Sequence, residues 1–187
     1  MANICDTTYK IVGKKEEVQS IFDVLQAVKQ QSPNVGGIWL GRVVEHLGGD
    51  LQTIACRGDI ISFDLSDEVL TIIQSTKWNE QAGFRHFLET KYPHIKIFYR
   101  EEECGCDVYY TNDHTGHYFP EMYLLDNYNE PEYFKTLNEA IKRVEEITGI
   151  RFISTEDDML NALDLYMERH EDEDIFYSMH KFTVVDD

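Results

Sequence analysis

Two amphipathic helical stripes set among four strand-like segments constrain the first hundred residues more than any other feature. Asn3 to Val12 reads as a strand ending at Gly13. Val18, Ile21, Phe22, Leu25 and Val28 then recur at the spacing of one helical face, and Ser32-Pro33 stops that helix. Leu40, Val43, Val44 and Leu47 suggest a second, shorter helix closed by Gly48-Gly49, because glycine takes the left-handed cap conformation readily. A hairpin follows, with Ile61, Phe63 and Leu65 alternating on its first arm and Val69 to Ser75 as its second. A helix through Phe84, Phe87 and Leu88 ends at Tyr92-Pro93, where proline disfavours further helix, and Ile95 to Arg100 supplies the next strand. The order β-α-(α)-β-β-α-β is the split βαβ pattern of a ferredoxin-like fold, an antiparallel sheet with helices on one face.

The second half predicts another hairpin. Asp107 to Thr111 and His117 to Leu125 flank the turn-rich stretch Asn112 to Gly116. Thr136 and Glu139 then make a capping box ahead of an apolar stripe of Leu137, Ala140, Ile141, Val144 and Ile147, closed by Gly149. A short strand, Arg151 to Ser154, leads to a final helix with Met159, Leu163, Tyr166 and Met167 on one face. Phe182 to Val185 offers a closing strand. The fold class expected is therefore α+β: a ferredoxin-like region over 1–103, and an acidic hairpin-plus-helices extension over 104–187 packed on it as one structural unit.

Charge separates the halves more sharply than any motif. The chain of 187 residues has 17 basic and 35 acidic side chains, a net charge of −18. Residues 1–100 hold 12 acids and 11 bases, whereas residues 101–187 hold 23 acids and 6 bases, net −17. Nucleic-acid and anionic-lipid binders need clustered Lys and Arg, so direct binding to either is not expected. No stretch approaches the roughly 18 consecutive apolar residues of a membrane span, and the N-terminus lacks the basic and apolar regions of a secretory signal. With four cysteines, too few for a disulfide framework in a chain of this length, the expected setting is cytoplasmic with reduced thiols.

Several short words carry a resemblance. They are Ala2-Asn3-Ile4-Cys5 leading to Tyr9 to Gly13, Arg57-Gly58, Lys91-Tyr92-Pro93 with Ile95-Lys96-Ile97, and Glu102 to Cys106. The most distinctive is Thr111-Asn112-Asp113 followed by Gly116 and Tyr118-Phe119-Pro120. Together they resemble proteins of gut Bacteroidetes, themselves similar to a phage- and plasmid-encoded family with a YubB-type ferredoxin-like domain. The resemblance implies a ferredoxin-like fold and a mobile-element or accessory context. It implies no activity and transfers no functional residue.

Chemistry-bearing constellations are few. The stretch Gly36 to Arg42 mimics the glycine spacing of a P-loop, but Arg42-Val43 stands where Lys and Ser/Thr must hold phosphate and magnesium. Cys104, Cys106, His114 and His117 have the ligand types zinc prefers, yet the C-x-C spacing is unlike the usual C-x₂₋₄-C. On the expected hairpin the histidines would also lie about 20 Å, a strand length, from the thiols. No metal or other cofactor is therefore expected. The same cysteines as nucleophiles would need a histidine base within hydrogen-bond reach, and Glu101-Glu102-Glu103 would raise a thiol's pKa.

Tyr109, Tyr110, Tyr118, Phe119, Tyr123, Tyr128, Tyr133 and Phe134 crowd the acidic half, either as a second core or as an outward aromatic face. An aromatic face rimmed with carboxylates suits a basic protein partner. The reading that follows is an accessory protein without catalysis, an interaction module whose candidate contacts are Tyr110, Tyr118, Tyr123, Glu171, Asp172, Glu173 and Asp174. The alternatives are an acidic DNA mimic that blocks a nucleic-acid-binding protein, and a thiol or metal-dependent enzyme at Cys104 and Cys106.

Overall fold

A computed structural model describes residues 3–31, 36–127, 130–151 and 153–186. The expected helix stop at Ser32-Pro33 and Tyr128 of the aromatic cluster lie outside these residues. The protein is mixed α and β, and its chain divides into two compact units, 1–113 with 185–187, and 114–184.

In the first unit, β1 (Cys5–Gly13), β2 (Ile38–Trp39), β3 (Gly58–Ser66), β4 (Val69–Thr76), β5 (Ile95–Glu103) and β6 (Val108–Thr111) alternate with α1 (Lys15–Gln30), α2 (Leu40–His46) and α3 (Ala82–Lys91). The strand order is β6-β5-β1-β4-β3-β2. Neighbours β1–β4, β1–β5, β3–β4, β2–β3 and β5–β6 all run antiparallel. Val18, Ile21, Leu25 and Val28 of α1, with Phe84 and Leu88 of α3, are buried in one cluster with Tyr9, Ile11, Leu70, Ile72 and Ile97. Each such aliphatic side chain contributes about 1.5–3 kcal/mol by leaving water. Phe22 packs against this cluster while keeping part of its surface exposed.

The inner face of the sheet grades from apolar to polar along the strands. Ile11 stands between Leu70 and Ile97, Tyr9 between Ile72 and Tyr99, and Thr7 between Gln74 and Glu101. Cys5 and Thr76 form the last pair. At the apolar end Gly13 has a φ of +138°, and a β-carbon there would meet His94 O at 2.1 Å, so only glycine lets β1 pass so close to the start of β5.

Two details correct the sequence expectation. On β3 the ladder shifts at a bulge between Ile60 and Ser62. The extra residue turns Ile60 into the core and leaves Ile61 exposed, so the expected alternation through Ile61 fails at its first member. The expected hairpin across Asn112 to Gly116 also does not form: β6 returns along β5 instead. Cys104–Cys106 makes a 3₁₀ turn, and Asp107 adopts the left-handed conformation that completes the reversal. Asn112 then extends the attachment, accepting from Tyr99 N at 2.8 Å and donating to Ile97 O at 3.0 Å. The boundary expected at 103/104 consequently falls at 113/114.

The second unit contains β7 (Tyr123–Asn127), β8 (Glu132–Phe134), α4 (Leu137–Thr148), α5 (Glu156–Arg169), β9 (Tyr177–Lys181) and β10 (Thr183–Val184). β7 lies between β8 and β9, antiparallel to both. The capping box read from Thr136 and Glu139 is present with both of its hydrogen bonds, and Gly149 caps the other end with a φ of +70°. Ala140, Ile141 and Val144 meet Met159, Ala162 and Leu163 of α5, with Leu125 and Met179 of the sheet, in a second core. Arg143 grips Glu132 with two bonds of 2.7 and 2.9 Å, a forked pair that ties α4 to β8. β9 has no counterpart in the sequence reading. The strand expected at Arg151 to Ser154 includes Phe152, outside the described residues, and its neighbours are irregular.

Candidate functional site

The acidic surplus of the second unit becomes a surface through α5 and the turn after it. Residues 114–184 hold 16 acids and 6 bases, net −10. Three of those bases are already spent on local pairs: Arg143 with Glu132, Lys181 with Glu156 at 2.9 Å, and Arg151 with Glu145 at 3.9 Å. Asp157, Asp164, Glu168 and the run Glu171 to Asp174 are exposed and make no ion pair among the described residues.

α5 starts where it does because Thr155 and Asp158 form a capping box, with Glu156, Asp157 and Asp158 at the positive end of the helix dipole. Met159, Ala162 and Leu163 turn inward. The helical period then forces Asp157, Leu160, Asn161, Asp164, Leu165 and Glu168 outward. Leu160 and Leu165 are 39% and 44% exposed, two large apolar side chains set among carboxylates.

The other residues singled out from the sequence scatter. Glu171, Asp172, Glu173 and Asp174 form an exposed turn between α5 and β9, as a solvated charge run should. Tyr110 is exposed on β6 of the first unit, and Tyr118 is half-buried, edge-on to His117 with ring centroids 4.6 Å apart. Tyr123 belongs to the second core and is 7% exposed, with Lys181 over its ring at 5.7 Å. It therefore offers a partner almost no contact area, contrary to the expectation from sequence, because all three residues at the start of β7 are buried.

Cys104 and Cys106 share one turn, while His114 and His117 belong to the second unit. Among the described residues no three His, Cys, Asp or Glu side chains gather as a metal ligand set. Between β8 and α4 an open groove of about 410 Å³ is lined by Lys135, Lys142 and Arg143 against Glu121, Glu139 and Glu146, with Tyr133 and Phe134. Three cations face three carboxylates there, so the groove carries no net field for a ligand of one sign.

Sequence reasoning missed the densest polar cluster, which lies under the N-terminal end of α3. Glu80 Oε1 accepts from Tyr9 Oη and from Arg85 Nε, the latter at 3.0 Å. Glu101 Oε2 accepts from Glu80 N at 2.6 Å and from the Cys5 thiol at 3.7 Å. Arg85 also stacks 5.0 Å from the Tyr99 ring. Burial raises both carboxyls above their ordinary range; at Glu80 the Arg85 charge opposes that shift and the Glu101 charge adds to it. Burial likewise pushes the Cys5 thiol up to about 11. Every member is 0–7% exposed, so the cluster is closed to substrate and acts as a polar part of the core. A signal did exist: Thr7, Gln74, Thr76 and Glu101 fall on the inward phase of their strands.

No family model matches the chain. No curated protein matches it either. A solved structure described as an unknown protein from Galdieria sulphuraria aligns over 98% of this chain and 100% of that one, at 10% identity and a TM-score of 0.26. A likeness of that size carries no argument about fold or function.

Proposed function

We propose that this protein is a non-catalytic interaction module whose acidic second unit docks a basic protein. The observation that carries the reading is the outward face of α5, where Leu160 and Leu165 stand exposed among Asp157, Asp164 and Glu168, none of them in an ion pair among the described residues. Apolar anchors inside a rim of one charge combine area to bury with long-range steering. Glu171 to Asp174 extend the same sign of charge into the next turn.

In this reading the first unit is a ferredoxin-like scaffold. Its support is the order β5-β1-β4-β3, with α1 following β1 and α3 following β4, which is the chain path the split βαβ pattern requires. The resemblance of the chain's short words to proteins of gut Bacteroidetes, themselves similar to a family with a YubB-type domain, favours an accessory role on a mobile element. The absence of any helix long and apolar enough to cross a membrane among the described residues fits the proposed cytoplasmic setting.

The test is affinity capture from the native host with identification by mass spectrometry, followed by binding of the purified partner from low to high salt. Steering fades as the Debye length shrinks from about 10 Å at 0.1 M to about 3 Å at 1 M. The expected partner is a basic protein whose association slows with salt and weakens in a Leu160→Ser, Leu165→Ser variant and when Glu171 to Asp174 become Gln or Asn. Affinity indifferent to salt and to both variants overturns the reading. Capture of a nucleic-acid-binding enzyme that the chain inhibits in competition with DNA redirects it to the DNA-mimic alternative.

A further inference from the structure

The four cysteines divide cleanly. Cys5 and Cys56 are buried, and burial raises both of their thiols above the ordinary value. Cys104 and Cys106 are exposed thiols, separated only by Gly105, in the 3₁₀ turn that joins β5 to β6. A 3₁₀ turn places residues i and i+2 with their α-carbons about 5 Å apart, inside the α-carbon window of a disulfide, while its step of about 120° per residue points their β-carbons apart, so closing the bond requires the turn to rearrange about Gly105.

Two neighbouring side chains, Glu103 and Asn3, pack closely against the turn at Gly105. Gly105 N donates to Glu103 Oε1 at 2.9 Å, and a β-carbon on residue 105 would lie 2.8 Å from that oxygen and 3.0 Å from Asn3 Nδ2. Asn3 Nδ2 in turn donates to Cys106 Sγ at 3.1 Å, which fixes the position of that sulfur beside the turn. Two exposed cysteines on a two-residue spacing make a dithiol.

We infer that Cys104 and Cys106 are a reversible redox pair that a low-molecular-weight disulfide converts to an intramolecular disulfide across the β5–β6 turn. One thiol loses its proton, and its thiolate attacks a sulfur of the small disulfide. The small disulfide's S–S bond breaks, one small thiolate leaves and takes up a proton, and a mixed disulfide remains on the protein. The second cysteine, deprotonated in the same way, attacks the protein sulfur of that mixed disulfide and expels the second small thiolate. In sum the protein dithiol gives up two electrons and two protons, and one small disulfide becomes two small thiols. The reverse exchange restores the reduced turn.

The experiment equilibrates the full, fully reduced chain with defined ratios of glutathione and glutathione disulfide, alkylates the remaining thiols, and weighs the intact protein and its peptides. The expected product is lighter than the reduced chain by two hydrogens before alkylation, maps to residues 104–106, and forms independently of protein concentration. Because the second thiol is tethered beside the mixed disulfide, the glutathione adduct should be at least about tenfold scarcer in the wild type than in Cys104→Ser or Cys106→Ser. Adducts as abundant in the wild type as in the single variants overturn the inference, as do disulfides that map to Cys5 or Cys56 or that link two chains. Circular dichroism of the serine variants, expected to match the wild type, keeps a folding defect from passing for a redox result.

Discussion

Arg85 Nε donates to Glu80 Oε1 at 3.0 Å, with the two side chains only 4% and 5% exposed. Removing one partner of a buried pair leaves the other charge without compensation, which costs about 3–5 kcal/mol. Arg85→Met should therefore lower unfolding stability by about that amount, since Glu80 and Glu101 would lose the Arg85 charge that both of them feel. The denaturant midpoint checks it, and a loss under about 1 kcal/mol would show that a proton already neutralises Glu80.

The same centre sets a pH dependence opposite to that of an ordinary salt-bridged carboxylate. Burial raises Glu80 and Glu101 above their ordinary value of 4.5, so the folded chain binds protons before the unfolded one does. Stability then rises as pH falls from 7 through the raised values, and drops again as pH climbs back. Asp158, held below its ordinary 3.8 by hydrogen bonds with the Thr155 and then the Ser154 side chains, acts only at lower pH and leaves this window clear. Denaturation at several pH values above 4.5 should show the slope, and Glu80→Gln with Glu101→Gln should flatten it. An unchanged slope in that double variant would assign the effect elsewhere.

Phe84 and Phe22 separate full from partial burial. Phe84 is 0% exposed in the first core, so Phe84→Ala should cost about 3–5 kcal/mol. Phe22 packs edge-on to Phe63, with ring centroids 5.7 Å apart, and keeps part of its surface in water. Phe22→Ala should cost measurably less than Phe84→Ala in the same denaturation experiment, and equal losses would mean that the Phe22 site collapses less well than its exposure implies.

Helical periodicity and capping were legible because each is written within a few residues. The stripe Val18, Ile21, Leu25, Val28 and the box Thr136 to Glu139 needed no partner to be recognised. The β6 pairing was not legible, because Asn112 to Gly116 has better turn residues than Cys104-Gly105-Cys106. What decided it was non-local, the side chain of Asn112 bonding the backbone of β5. Ile61 escaped for a similar reason: a bulge adds one residue without changing the composition of the strand. Glu80, Arg85 and Glu101 were passed over because charged side chains belong outside unless they find one another, and sequence does not show who meets whom. On α5 only packing separates the buried Met159, Ala162 and Leu163 from the exposed Leu160 and Leu165, so composition alone does not mark the outward leucines.

The grading of the sheet's inner face, from Ile11 between Leu70 and Ile97 to Thr7 between Gln74 and Glu101, labels each strand with a direction. A slip by one residue betrays itself by turning the core outward, but a slip by two keeps every side chain on its own face and passes an alternation test. Here a two-residue slip of β5 past β1 would move Glu101 beside Tyr9 or leave Ile97 beside Tyr9, setting a carboxylate or an aliphatic chain where an aromatic pair now sits. The buried polar groups thus act as a key that fits one register of β1, β4 and β5, so the expense of hiding charge excludes near-native misalignments that hydrophobicity alone would tolerate.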